Sequence, residues 1–92
     1  PARHTLGEKI DSLLIEIIEF TLVASRLPKN QKLPFVEKAS AKLDLLKFFL
    51  EIGWEIKFFD DKKYIVLSEL LDGIGRMIGV LQRQLLQETP PR

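Results

Sequence analysis

Residues 35–58, FVEKASAKLDLLKFFLEIGWEIKF, decide the fold. At 100° per residue, Phe35, Ala39, Leu43, Leu46, Leu50, Gly53 and Trp54 fall on one stripe, the pattern of a helix lying on a core. A second apolar stripe, Leu45, Phe48, Ile52, Ile56 and Phe59, recurs at steps of three and four on a neighbouring face. Between them Glu37, Ser40, Asp44, Lys47, Glu51 and Glu55 leave only a narrow wet edge. A helix that is apolar on two sides needs two sets of neighbours. One set comes from the rest of the chain, and the second stripe is expected to bury itself against another copy.

Working outward, residues 6–26 read as an amphipathic helix. Thr5 and Glu8 stand three apart, the spacing at which a threonine hydroxyl and a glutamate satisfy each other's backbone amides at a helix start. Leu6, Ile10, Leu13, Leu14, Ile17, Phe20 and Ala24 share one face, with a smaller echo at Ile15, Ile18 and Leu22. A polar loop around Pro28 follows, and Pro34 suits the first turn of the next helix, where a missing N–H costs nothing. That helix is expected to run to about Phe58. Asp60 and Asp61 offer a cap for a third helix, whose face is Val66, Leu67, Leu70, Leu71, Ile74, Met77, Ile78, Leu81 and Leu85. It is expected to end at Thr89, Pro90 and Pro91. Gly75 and Gly79 lie inside this helix, where each costs about 1 kcal/mol relative to alanine, so a second helix is expected to approach closely at both. The fold class is all-α: an antiparallel up-and-down helix bundle forming a single domain over residues 1–92.

Composition narrows the function classes. The chain has 92 residues, no cysteine and one histidine, which leaves no disulfide framework and little for an imidazole or thiolate metal site. The longest uninterrupted apolar run is four residues, far below the roughly 18 that span a bilayer, so no membrane partner and a cytoplasmic location are expected. The chain opens on Pro1 without an initiator Met, so a segment ahead of it is expected. Catalysis needs converging acid, base or nucleophilic groups, and none is apparent. His4 stands alone; Asp60 and Asp61 are explained as caps; Trp54 reads as core or interface before it reads as a base-stacking platform. Catalytic, metal and cofactor assignments are therefore all none.

Charge is more informative in its distribution than in its total of +1. Residues 1–25 carry net −2, residues 26–47 net +4, residues 48–72 net −3 and residues 73–92 net +2. The basic run is Arg26, Lys29, Lys32, Lys38, Lys42 and Lys47. Arg26, Lys29, Lys32, Lys38 and Lys42 form a candidate phosphate-binding edge, with Arg76 and Arg83 as weaker candidates, although an ordinary solvated loop has the same composition.

Several runs resemble a known family. Arg3-His4-Thr5-Leu6-Gly7-Glu8-Lys9-Ile10, Leu45-Leu46-Lys47-Phe48-Phe49-Leu50, Tyr64, and Leu70-Leu71-Asp72-Gly73-Ile74-Gly75-Arg76-Met77-Ile78-Gly79 look like the accessory variability determinant of diversity-generating retroelements. The likeness spans nearly the whole chain, and the last run is its most specific part. The small bundle proteins encoded in bacterial ribosomal RNA intervening sequences share the architecture but carry an Ala-Asn-rich motif in the first helix, which this chain lacks. The resemblance implies a four-helix protomer, one helix of which would precede residue 3, assembling into a pentameric barrel. It further implies a non-enzymatic accessory protein that binds a reverse transcriptase, with RNA and DNA held on a basic surface. Two alternatives stand beside it: an oligomeric bundle of the intervening-sequence type with protein-only partners, and an enzyme whose site a missing segment or neighbouring subunit completes.

Overall fold

A computed structural model describes residues 5–88 of the chain. Its order is α1 (Leu6–Arg26), a 3-10 turn (Lys29–Gln31), α2 (Leu33–Glu55) and α3 (Asp61–Glu88), and no strand occurs among the described residues. His4 and the expected stop at Thr89, Pro90 and Pro91 lie outside them.

The helix ends follow local chemistry. At the start of α1 the Glu8 amide donates to Thr5 Oγ1 (3.3 Å) while the Thr5 amide donates to Glu8 Oε1 (3.1 Å), closing the reciprocal cap. Lys32 Nζ donates to the Ala24 carbonyl at 2.7 Å, placing a cation at the negative end of the α1 dipole. Pro34 sits in the first turn of α2. At the start of α3, Asp60 Oδ1 accepts the Lys63 amide at 2.7 Å.

α2 ends at Glu55, three residues before the periodicity suggested. Lys57 adopts φ 66°, the left-handed conformation usual for glycine just past a helix. Its amide donates to the Trp54 carbonyl (3.1 Å), and the Phe58 amide donates to the Gly53 carbonyl (2.7 Å). These two bonds satisfy the last carbonyls and turn the chain back on itself. Phe59 then folds inward, its ring over Gly53 and against the core, instead of continuing the outward stripe of α2.

α2 is the middle helix and packs on both others. Leu13 and Ile17 from α1, Leu43, Leu46 and Leu50 from α2, and Leu71 from α3 form the main core. A second cluster joins Ala24 at the end of α1, Val36 near the start of α2 and Leu85 near the end of α3. Such a meeting of ends requires the antiparallel up-and-down course. α1 and α3 are bound mainly through α2, so they flank an apolar trough of about 170 Å³, lined by Thr21, Ala24, Ser25, Lys32, Val36, Ala39, Ile78 and Leu81.

Three apolar faces remain outside this core. On α1 they are Leu14, Ile15, Ile18 and Leu22, so Leu14 leaves the core face assigned by periodicity. On α2 they are Leu45 and Phe48, with Ile56 just past its end, and on α3 Val66, Leu70, Met77 and Val80. None of the described helices is long and apolar enough to cross a membrane.

Candidate nucleic-acid interface and assembly surfaces

The basic edge lies where the end of α1, the 3-10 turn and the start of α2 meet, and the Ala24–Val36–Leu85 cluster brings the end of α3 to the same pole. The residues of this edge are not equivalent. Lys32 is half-buried, with its ammonium on the Ala24 carbonyl. The Lys38 ammonium lies 5.1 Å from the Phe35 ring centroid and 5.7 Å from that of Phe20, a cation held over two aromatic faces. Lys42 Nζ pairs with Glu16 Oε2 at 3.5 Å across α1 and α2. Arg26 and Lys29 are exposed at the loop itself. The sequence placed all five on one edge; the fold draws Lys32, Lys38 and Lys42 into contacts within the protomer, because α1 supplies the Ala24 carbonyl, the Phe20 ring and the Glu16 carboxylate, and α2 the Phe35 ring, within reach of their long stems.

Arg76 and Arg83 project from the polar side of α3, both exposed. Asp72, one turn before Arg76, pairs with Lys47 of α2 at 3.3 Å.

The assembly stripe changes in composition. Leu45 and Phe48 are exposed, Ile56 is 64% exposed and Ile52 is half-buried, but Phe59 is withdrawn to the core by the turn at Lys57. The close approach expected at the glycines of α3 also changes. A Cβ at Gly75 would lie 3.4 Å from Leu43 Cδ2 and 3.2 Å from Lys47 Nζ, so α2 passes close there. Among the described residues, one at Gly79 would meet only Arg83 Nη1 of its own helix, at 3.6 Å, with no second helix within 4 Å. The tightest glycine is Gly53, where a Cβ would fall 2.6 Å from Phe59 Cε2 and 3.1 Å from Leu6 Cδ2. Its place in the core stripe was the available signal; the reason for glycine there lies in a turn that periodicity does not reveal.

At the opposite pole Trp54 stacks on Tyr64, centroids 4.8 Å apart and planes 10° from parallel, and its indole N–H donates to Asp61 Oδ1 at 2.7 Å. Trp54 therefore ties the end of α2 to the start of α3. Among the described residues no three His, Cys, Asp or Glu side chains are grouped to hold a metal ion.

Fold and surface together describe a small three-helix unit with a basic pole and apolar faces turned outward. No family model, curated protein or solved structure matches the chain.

Proposed function

We propose that this chain is an accessory protein of a diversity-generating retroelement, without catalytic activity of its own, which self-associates and helps a reverse transcriptase engage template RNA and complementary DNA. The reading is supported first by the resemblance carried by residues 3–10, 45–50 and 70–79. The described parts of those runs, residues 5–10, 45–50 and 70–79, occupy distinct places in one helical unit: the start of α1, the middle of α2 and the middle of α3. The fourth helix that the family implies would give the outward apolar residues of α1, Ile15, Ile18 and Leu22, a neighbour, and would leave the outward faces of α2 and α3 for a pentameric assembly. A cytoplasmic location belongs to the same reading.

Phosphate contact rests on Arg26 and Lys29 at the loop, with Lys32, Lys38 and Lys42 adding field from behind. Repetition of this pole in an oligomer multiplies weak contacts. The test is RNA and DNA retention as a function of salt. Log affinity is expected to fall with log salt at a slope of about −0.7 to −0.9 per phosphate neutralised. Arg26→Glu with Lys29→Glu is the informative variant, since both side chains are exposed, one at the end of α1 and the other in the 3-10 turn. Loss of retention with unchanged helicity supports the reading; retention as in the parent chain rejects this pole as the site.

A second reading, an oligomeric bundle of the intervening-sequence type with protein-only partners, is favoured by one observation. Lys32, Lys38 and Lys42 are already engaged within the protomer, which lowers the charge offered to phosphate. Absence of any salt-sensitive binding by the parent chain would select it.

A further inference from the structure

The outward faces of α2 and α3 are both written in heptads. On α2, Ala41, Leu45, Phe48 and Ile52 follow one another at steps of four, three and four, and Phe48 is 54% exposed. On α3, Val66, Leu70, Gly73, Met77 and Val80 follow at four, three, four and three, and Met77 is 73% exposed. Each seam carries a charged edge repeating every seven residues. On α2 it is Glu37, Asp44 and Glu51; on α3 it is Lys62, Glu69, Arg76 and Arg83, and all seven side chains are exposed. Asp44, Glu51, Glu69 and Arg76 each stand just before a seam residue, and Glu37, Lys62 and Arg83 continue the same positions one heptad further, beside Lys38, Lys63 and Gln84. Two such helices running antiparallel bring these like positions together, so an acidic edge faces a mainly basic one.

We infer that α2 of one copy packs antiparallel along α3 of a second copy, joining these two seams. This deepens the self-association part of the function proposed above. The register that sets Glu37 against Arg83 and Asp44 against Arg76 also fixes the apolar layers: Ala41 meets Met77, Leu45 meets Gly73, Phe48 meets Leu70 and Ile52 meets Val66. Small faces large in the first two layers, as interdigitating helices require. The contact also accounts for Gly73, whose own chain gives no reason for glycine: a Cβ there would meet only the Arg76 guanidinium, at 3.8 Å. Within the protomer α2 and α3 are antiparallel, so this contact keeps the α2 helices of both copies parallel. Copies are then related by rotation about an axis along the helices. Because the two faces differ, the contact is heterologous and repeats until a ring closes.

The register contains one unfavourable pair, Glu51 against Glu69, and that makes the inference specific. Glu69→Lys should tighten association, whereas an unrelated interface would be indifferent to it.

The deciding experiment uses sedimentation and light scattering on full chains, with circular dichroism as the folding control. Glu37→Lys with Asp44→Lys makes both edges basic; Arg76→Glu with Arg83→Glu makes both edges acidic. Each variant alone should lose association by at least tenfold, while an equimolar mixture should recover association between unlike copies, because each supplies the edge that the other needs; strict alternation closes only rings of even number, so the recovered species is not required to have the mass of the parent assembly. Gly73→Leu should block association without loss of helicity. Association of the single-edge variants like the parent, or failure of the mixture to recover, overturns this pairing while leaving self-association intact. A parent chain that stays monomeric at 100 μM, roughly the upper end of ordinary assays, overturns both.

Discussion

The Phe59 ring covers Gly53 so closely that a Cβ on the glycine would fall 2.6 Å from Cε2 and 2.8 Å from Cδ2. The ring has no easy retreat. Both the Phe58 and Phe59 amides donate to the Gly53 carbonyl, at 2.7 and 3.2 Å, so the backbone carrying the ring is tied to the residue beneath it.

Gly53→Ala is therefore expected to destabilise the chain by about 1–2 kcal/mol, overpacking outweighing the gain in helix propensity. Gly79→Ala should act in the opposite direction, raising stability by up to about 1 kcal/mol, because its Cβ would make only an ordinary contact, 3.6 Å from the flexible Arg83 guanidinium. Chemical denaturation of the two variants beside the parent decides the matter, and equal effects of the same sign would contradict the packing described.

Lys57→Gly is expected to stabilise. The residue holds φ 66°, a conformation that costs an L side chain about 1 kcal/mol and glycine almost nothing. Extra backbone entropy in the unfolded chain takes back part of that gain, so the net shift should be about 0.5 kcal/mol in favour of the variant. A lower melting temperature for the variant would mean that the lysine side chain holds the turn by some other contact.

The turn at Lys57 also marks the limit of what periodicity can reveal. α1 was legible because Thr5 and Glu8 announce its start and its apolar face recurs without interruption to Ala24. The end of α2 was not, since apolar residues continue at helical spacing through Ile56 and Phe59 while the stop rests on a lysine in a conformation usually signalled by glycine. Once the helix ends at Glu55, the spacing that put Phe59 on the outer stripe no longer applies. The basic edge was legible in position but not in availability. Whether Lys38 reaches water or the rings of Phe20 and Phe35 depends on how α1 and α2 lie against each other.

Gly75 separates the effects of small and large additions. A methyl group there meets the Lys47 ammonium at 3.2 Å, the far end of a flexible side chain, and Leu43 Cδ2 at 3.4 Å. Gly75→Ala should change stability by less than about 1 kcal/mol, propensity offsetting the contact. Gly75→Leu should cost about 1–3 kcal/mol by forcing α2 and α3 apart and displacing Lys47 from Asp72. Thermal unfolding of the pair, showing leucine tolerated as well as alanine, would count against close approach at this point.

Trp54 is the sole tryptophan of the chain, and its stacking on Tyr64 makes its fluorescence a local report on the junction of α2 with α3. Tyr64→Ala removes the stacked ring and leaves the indole more open to water, so emission should shift to longer wavelength while helicity is kept. Asp61→Ala removes the acceptor of the indole N–H without touching the stack. Because this is a hydrogen bond to a charged group at an exposed site, its loss should cost about 0.5–1.5 kcal/mol, and the emission shift should be smaller than in Tyr64→Ala. Asp60 caps α3 through the Lys63 amide and is untouched by either change, so loss of stability in Asp61→Ala reports the tie to Trp54 together with the carboxylate that Asp61 places in the first turn of α3. An emission maximum identical in the parent and both variants would show that the indole does not occupy this position in solution.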